Sequence, residues 1–278
     1  MRIWIFISLS VLLNLQLRAT EMTDLKTQFE AIFLKRTDAE KISASKDFRE
    51  NLKNYLLERD PMNADLSELK MYSEKEKHER FRILNWNVPL SYENHYECMF
   101  VLPTIDESYK VITCNKTRKD LSKVENRTLS AKDWPGALYY EIIPLSKKND
   151  AQFILLGWDG KDRASNRKVL EVITISDRNI KFGANIFKEF ERPIKRYIME
   201  YRDDAVAGLS YDEKYKRIVF DHLSPPRQDL EGQFQFYGPD MTFDAFVLKK
   251  GQLYFRENVK FVRERHAKDN NFYDPRKK

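Results

Sequence analysis

The spacing of apolar positions changes once along this chain, near residue 60. Before that point it is helical. Leu25, Phe29, Ile32 and Phe33 form one stripe, and Ile42, Phe48, Leu52, Tyr55 and Leu56 form another. Thr37-Asp38-Ala39-Glu40 has the spacing of a capping box, which predicts that a second helix starts there. Asp60-Pro61 predicts its end, because a residue before proline avoids the helical region. Two such stripes need a surface to cover. They predict helices that pack on a sheet or cap its edge, with a partner-binding helical hairpin as the alternative.

Beyond the charged stretch SEKEKHER the pattern becomes that of short strands. Candidates are Phe81–Trp86, Tyr96–Leu102, Tyr109–Cys114, Leu138–Leu145, Gln152–Trp158, Lys168–Ser176, Ile180–Phe187, Arg196–Tyr201, Ala207–Asp212, Arg217–Leu223, Thr242–Lys249 and Gln252–Asn258. They are rich in β-branched and aromatic residues. Several junctions are too short for parallel crossovers, among them Ser176-Asp177-Arg178-Asn179, Asp212 to Lys216, and Lys249-Lys250-Gly251-Gln252. The fold class predicted is mainly β: an antiparallel meander of about 11–12 short strands, closed or curled as a barrel, a sandwich or a propeller-like arrangement. No repeat of fixed period is present, which argues against a regular propeller. The expected organisation is a helical element over residues 20–70, a β domain over 71–258 and a basic tail over 259–278.

The first nineteen residues set the expected compartment. Arg2 precedes the apolar run Ile3–Leu13, and the polar stretch NLQLRA ends at Ala19. This is the pattern of a secretory signal, with the mature chain expected to begin near Thr20 or Glu21. The run is shorter than the ~20 residues that span a bilayer, and no later segment is long and apolar enough. The expectation is an exported protein, periplasmic or extracellular, and not an integral membrane protein. The net charge of +6 does not point to nucleic acid. Arg2 and Arg18 lie in the signal, and between Arg256 and Lys278 eight Lys/Arg stand against four Asp/Glu. The rest of the chain balances, so the excess belongs to a solvated end rather than a basic face.

The two cysteines, Cys98 and Cys114, lie in neighbouring candidate strands. If these pair with Asp106 at the turn centre, the cysteines are directly opposed. That geometry and an oxidising compartment favour a disulfide; two buried thiols are the alternative.

Candidate chemistry is sparse. Asp159, Asp162 and Asn166 lie between two strands, with Gly160 and Ser165. Closely spaced oxygen side chains can hold Ca²⁺, the one cofactor the sequence suggests, but two carboxylates off the EF-hand spacing read more simply as a polar turn. Asp221, His222 and Ser224 supply the residue types of a triad without its geometry, since neighbours in a strand face opposite ways and no G-x-S-x-G elbow is present. His78, His95 and His266 lack metal spacing. No catalytic residue is assigned. The connection from Ser224 to Thr242 carries Phe234, Phe236, Tyr237 and Asp240 beside Gly238-Pro239. Aromatic rings beside a carboxylate suit a sugar or peptide. The same segment could instead plug the open end of a sheet, and Gln233–Phe236 alternates as a further strand would. Asn115-Lys116-Thr117 and Asn126-Arg127-Thr128 match the glycosylation sequon.

Six segments together resemble a group of uncharacterised exported proteins of Bacteroidota-type bacteria. They are FRILNWN (Phe81–Asn87), WPGALYYEIIPL (Trp134–Leu145), LLGWDGKDRASNRKVLEV (Leu155–Val172), FGANIFK (Phe182–Lys188), IVFDHLSPP (Ile218–Pro226) and EGQFQFYGPDMTFDAFVLKKGQLYF (Glu231–Phe255). The resemblance implies a bacterial envelope location and a β-rich fold, and brings no activity with it. The expected function is a non-enzymatic binding or structural module of the cell envelope, its partner an envelope component, glycan or peptide. The alternative is a hydrolase of envelope or extracellular polymers.

Overall fold

The computed structural model describes residues 21–106, 108–115, 124–145, 152–176 and 179–261. The signal segment, Asp177-Arg178, the Lys116-Thr117 part of the first sequon, His266 and the tail beyond Phe261 lie outside them. The chain is mainly β, in four layers: two helices, then three stacked sheets.

Helix α1 covers residues 21–34 and α2 covers Asp38–Leu57. The capping box at Thr37 is formed in both directions: the Thr37 hydroxyl accepts from the Glu40 amide, and the Glu40 carboxylate accepts from the Thr37 amide. The helix ends at Leu57, three residues before Asp60.

The first sheet runs β1 (Tyr72–Lys75), β2 (Arg82–Pro89), β3 (Asn94–Pro103), β4 (Tyr109–Cys114) in sequence order. Alternation divides its residues. Leu84, Trp86, Val88, Met99 and Val101 pack against the helices; Ile83, Tyr96, Cys98, Phe100 and Leu102 face the second sheet. A polar line along α2 sets the docking. The Asp38 carboxylate accepts from the Ser91 amide, Lys41 donates to the Pro89 carbonyl, the Trp86 indole donates to Ser45, and Arg49 donates to the buried Glu97 carboxylate at 2.8 Å. Positions 38, 41, 45 and 49 follow one helix face, so the helix is registered as well as buried.

The second sheet is central. It holds β5 (Leu129–Ser130), β6 (Leu138–Pro144), β7 (Gln152–Asp159), β8 (Ser165–Ser176) and β9 (Asn179–Phe182), in the order β5-β9-β8-β7-β6. Both its faces are covered: Phe153, Leu155 and Val169 meet the first sheet, and Ile154, Leu156, Leu170 and Val172 meet the third. This is why β7 and β8 read as nearly continuous apolar runs.

The third sheet holds β10 (Phe187–Lys188), β12 (Leu209–Asp212), β13 (Arg217–Ser224), β14 (Gly238–Lys249) and β15 (Gln252–Arg256), in the order β10-β15-β14-β13-β12. Strand β11 (Tyr197–Arg202) pairs with β8. The Lys250-Gly251 hairpin has positive φ at both residues, the type I′ geometry that a right-twisted ribbon needs.

Within the central sheet lies one wholly buried ion pair. Arg196 Nε donates to Glu171 Oε2 at 2.8 Å, and neither side chain is exposed. The guanidinium also donates to the carbonyls of Val124, Arg127 and Phe182. The other Glu171 oxygen accepts from the Val172 amide at 3.1 Å. Gly183, with φ +91°, brings its backbone against this group; an added Cβ would stand 2.6 Å from the Arg127 carbonyl oxygen.

The mainly β, antiparallel fold expected is present, and among the described residues the sheets stay open rather than closing as a barrel. Two details are corrected. The meander is not wholly antiparallel, since β10 runs parallel to β15. The stretch Ile180–Phe187 is not one strand but is broken at Gly183 into β9 and β10. No helix among the described residues is long and apolar enough to cross a membrane.

The hairpin centred on Asp106 has the expected register, with Cys98 directly opposite Cys114. Both thiols are fully buried between the first and second sheets and stand unbonded. Burial pushes the Cys98 thiol up, with Cys114 adding to it, so Cys98 is not poised as a nucleophile in the folded chain. The bond, where it forms, is expected during folding in an oxidising compartment. It should stabilise by about 3 kcal/mol in the chain-entropy model. Protein from its native compartment, unfolded and alkylated without reductant, should take up no label. Two labelled thiols would contradict this.

Candidate functional site

The two sequence candidates resolve differently. In the loop after β7 the three proposed ligands turn to separate partners. Asp162 Oδ1 accepts from the amides of Ala164 and Ser165 at 2.8 and 2.9 Å, closing a polar turn. Burial opposes ionisation of Asp162, but these two amides and the Lys161 ammonium outweigh it and hold its carboxyl below the usual range. Asn166 reaches across to Asp203, and Asp159 is buried with Arg167, 3.8 Å away. Arg167 in turn donates to Glu200, which also accepts from Lys161 and Ser165. Next to this, Tyr96 accepts from the Gly160 amide and Asn94 donates to the Gly160 carbonyl. The loop thus ties the first sheet to the second. The turn is closed by Asp162. Among the described residues no group of three His, Cys, Asp or Glu is placed to hold a metal ion.

The β13–β14 region is different in kind. The connection spans residues 225–237, because β14 begins at Gly238, earlier than the polar sequence suggested. It is neither a strand nor a buried plug. Two short 3-10 turns, Gln228–Leu230 and Phe234–Phe236, shape it. Gly232, at φ +79°, sends its amide to the Tyr237 hydroxyl at 2.9 Å, and the Tyr237 carbonyl accepts from the Arg202 amide of β11. The Phe234 and Tyr237 rings stand 5.1 Å apart. Phe234 and Phe236 remain 51% and 41% exposed despite this ordering. Beside them lies a shallow depression of about 200 Å³ lined by Arg202, Ser224, Pro225, Pro226, Phe236, Gly238 and Pro239.

The strands next to this depression are not in even register. Asp221 pairs with Phe243 and Leu223 with Pro239, so His222 alone faces Asp240, Met241 and Thr242. Met241 sits at φ +71° and is 91% exposed. His222 Nδ1 bonds Asp244 Oδ2 at 2.8 Å, and its Nε2 stands 4.0 Å from Asp240 Oδ2. Each carboxylate is anchored on its other oxygen. Asp240 Oδ1 accepts from the Thr242 amide and hydroxyl, and Asp244 Oδ1 accepts from the Asn258 amide.

Asp221 turns elsewhere and accepts from the Gly208 amide at 2.6 Å. Burial pushes its carboxyl up; the Gly208 amide opposes this, and the Asp240 charge adds to it. Asp221, His222 and Ser224 therefore do not form a triad. The His95 ring bonds Glu97, and the His78 amide donates to Glu76.

Four of the predicted residues, Phe234, Phe236, Tyr237 and Asp240, do fall in one region. Asp244 was missed, though its signal was present: a carboxylate in the otherwise apolar run Phe243–Leu248. Arg202 had no signal, since only tertiary packing of β11 brings it there. Comparisons with protein-family models, with curated proteins and with solved structures found no match.

Asp162→Ala should lower stability by about 1–2 kcal/mol through loss of the turn. Added Ca²⁺ should leave the melting temperature of both forms unchanged. A calcium-dependent rise in the native chain that disappears in the variant would contradict the turn assignment.

Proposed function

We propose that this chain is an exported, non-enzymatic binding module whose ligand, a peptide or glycan of the cell envelope, lies across the β13–β14 connection. One observation carries this reading: an ordered loop holds two phenylalanine rings in solvent beside a groove. Exposed apolar surface on a shaped loop costs solubility and is a common mark of an interaction site. The depression adds proline faces, Ser224 and Arg202, and Asp240 follows Pro239 of the lining in the chain. Rings supply stacking area, and the polar groups supply orientation. Tyr237 acts as an organiser of the loop, through its hydroxyl and its contact with Phe234.

Peptide and glycan arrays probed with the native chain test this. Phe236→Ala should weaken binding by about thirtyfold, as for a residue contributing ~2 kcal/mol at an interface, with its melting temperature unchanged. Tyr237→Phe should instead lower stability by about 1 kcal/mol. Retained binding in a Phe234→Ala/Phe236→Ala chain would contradict the assignment.

A second reading, hydrolysis of a polymer, is favoured by one observation. Asp221 is pushed up while Asp240 is held below its usual range, where desolvation is outweighed by the Thr242 hydroxyl and amide. Neighbouring carboxyls driven apart suit an acid and a base. Glycan turnover by the native chain that is lost in Asp221→Asn would move the assignment to this class.

A further inference from the structure

Among the charged groups of this region, His222 has a placement that neither packing nor strand pairing requires. It is the single residue of β13 set against the three-residue bulge of β14. Its two ring nitrogens address Asp240, the first residue of that bulge, at 4.0 Å, and Asp244, in the paired ladder just beyond it, at 2.8 Å. The side chain is 45% exposed, so protons reach it freely. Asp240 follows directly on Gly238 and Pro239, which line the groove, and these follow Phe236 and Tyr237. Asp240 and the exposed Phe236 ring thus bound a stretch of five consecutive residues.

We propose that His222 is a proton-operated latch on this groove: protonated, it bridges Asp244 and Asp240 and holds the bulge closed; neutral, it releases Asp240 and loosens the groove wall. The proposal rests on the groove being the binding surface, and names how that surface is regulated.

The chemistry follows from donor count. A neutral imidazole has one N–H, and the 2.8 Å contact places it on Nδ1 toward Asp244. Nε2 then presents a lone pair toward the Asp240 carboxylate, which repels it. The imidazolium has a second N–H on Nε2, which attracts Asp240 across the remaining gap directly or through water. Asp244 and Asp240 act from β14, and Glu257 acts from the end of β15, all favouring the imidazolium. On β13 itself Asp221 bonds Gly208 and feels the charge of Lys168 of β8. The Tyr197 phenol of β11 lies near Asp244, and burial and that carboxylate keep it neutral. The Asp244 hydrogen bond pushes the His222 pKa up; partial burial opposes it, and the Asp244, Asp240 and Glu257 charges add to the rise. With the folded value raised, the closed form gains stability that is fully present below the ordinary histidine range. That stability is lost as pH rises through the folded value.

The test needs no ligand. The His222 imidazole is titrated by NMR, identified by its absence in His222→Gln. In parallel, amide exchange of Thr242 and Arg202 is followed from pH 5.5 to 8.5 and corrected for intrinsic base catalysis. Protection should fall progressively as pH rises and level off above the His222 pKa measured in the native chain. Linkage requires about tenfold in protection for each pKa unit separating the closed and open forms. Asp240→Asn should lower the His222 pKa and remove the protection step while leaving the Asp244 contact. The latch is overturned if protection is flat with pH in the native chain, or if the step persists in His222→Gln. Failure of every array probe with the step intact would reject the groove as a binding surface while leaving the mechanical latch in place.

Discussion

The buried pair of Arg196 and Glu171 is the constraint on which the rest of this molecule depends. A sheet covered on both faces has little room for charge, and desolvating two ions costs several kcal/mol each. Here the cost is offset by geometry. The guanidinium satisfies the carboxylate and three backbone carbonyls, from Val124, Arg127 and Phe182. Burial pushes the Glu171 carboxyl up, and Arg196 counters it. The pair therefore does more than neutralise itself. It fastens the segment before β5, the end of β9 and the start of β11 to the middle of β8.

That fastening determines what lies outward. Strand β11 reaches β8 only because the chain after Gly183 is turned and held at Lys195 and Arg196, whose amides donate to the Glu125 carbonyl. From β11 come Tyr197, which packs at 4.9 Å from Phe220 and 5.2 Å from Phe246, and Arg202, which supports the loop at Tyr237. The third sheet and its bulge thus sit on a platform whose position is set at the buried pair. On the other side, the first sheet is joined through Tyr96, Asn94 and the Gly160 loop, and the helices are joined to it through Asp38, Lys41, Ser45 and Arg49. Each layer is bound to the next by a few polar contacts set in apolar surface. Such contacts select one register among several that would bury similar area.

Much of this was legible in the sequence where a residue's role is local. The capping box at Thr37, the hairpin centred on Asp106 and the apolar runs of β7 and β8 follow from spacing and turn chemistry. Strand β1 was not legible, because an edge strand of polar residues is held by backbone bonds that leave no apolar signature. The alternation Gln233–Phe236 suggested a strand, but Gly232 and the Tyr237 hydroxyl fold those residues into a 3-10 turn. The start of β14 was hidden by Gly238-Pro239. At the site, aromatic and acidic residues in one connection were visible as composition. The pairing of His222 with Asp244 was not, since it depends on a register shift that appears only when the strands meet.

A double-mutant cycle at Arg196 and Glu171, read by chemical denaturation, tests the account most directly. Arg196→Met should cost about 3–5 kcal/mol by stranding a buried carboxylate. The Arg196→Met/Glu171→Leu chain should recover part of that loss and remain well below the native chain, because the buried carbonyls of Val124 and Phe182 and the part-buried carbonyl of Arg127 still lack this donor. A double variant as stable as the native chain would show that the pair only compensates its own burial, and would contradict its role as the fastening point of the sheets.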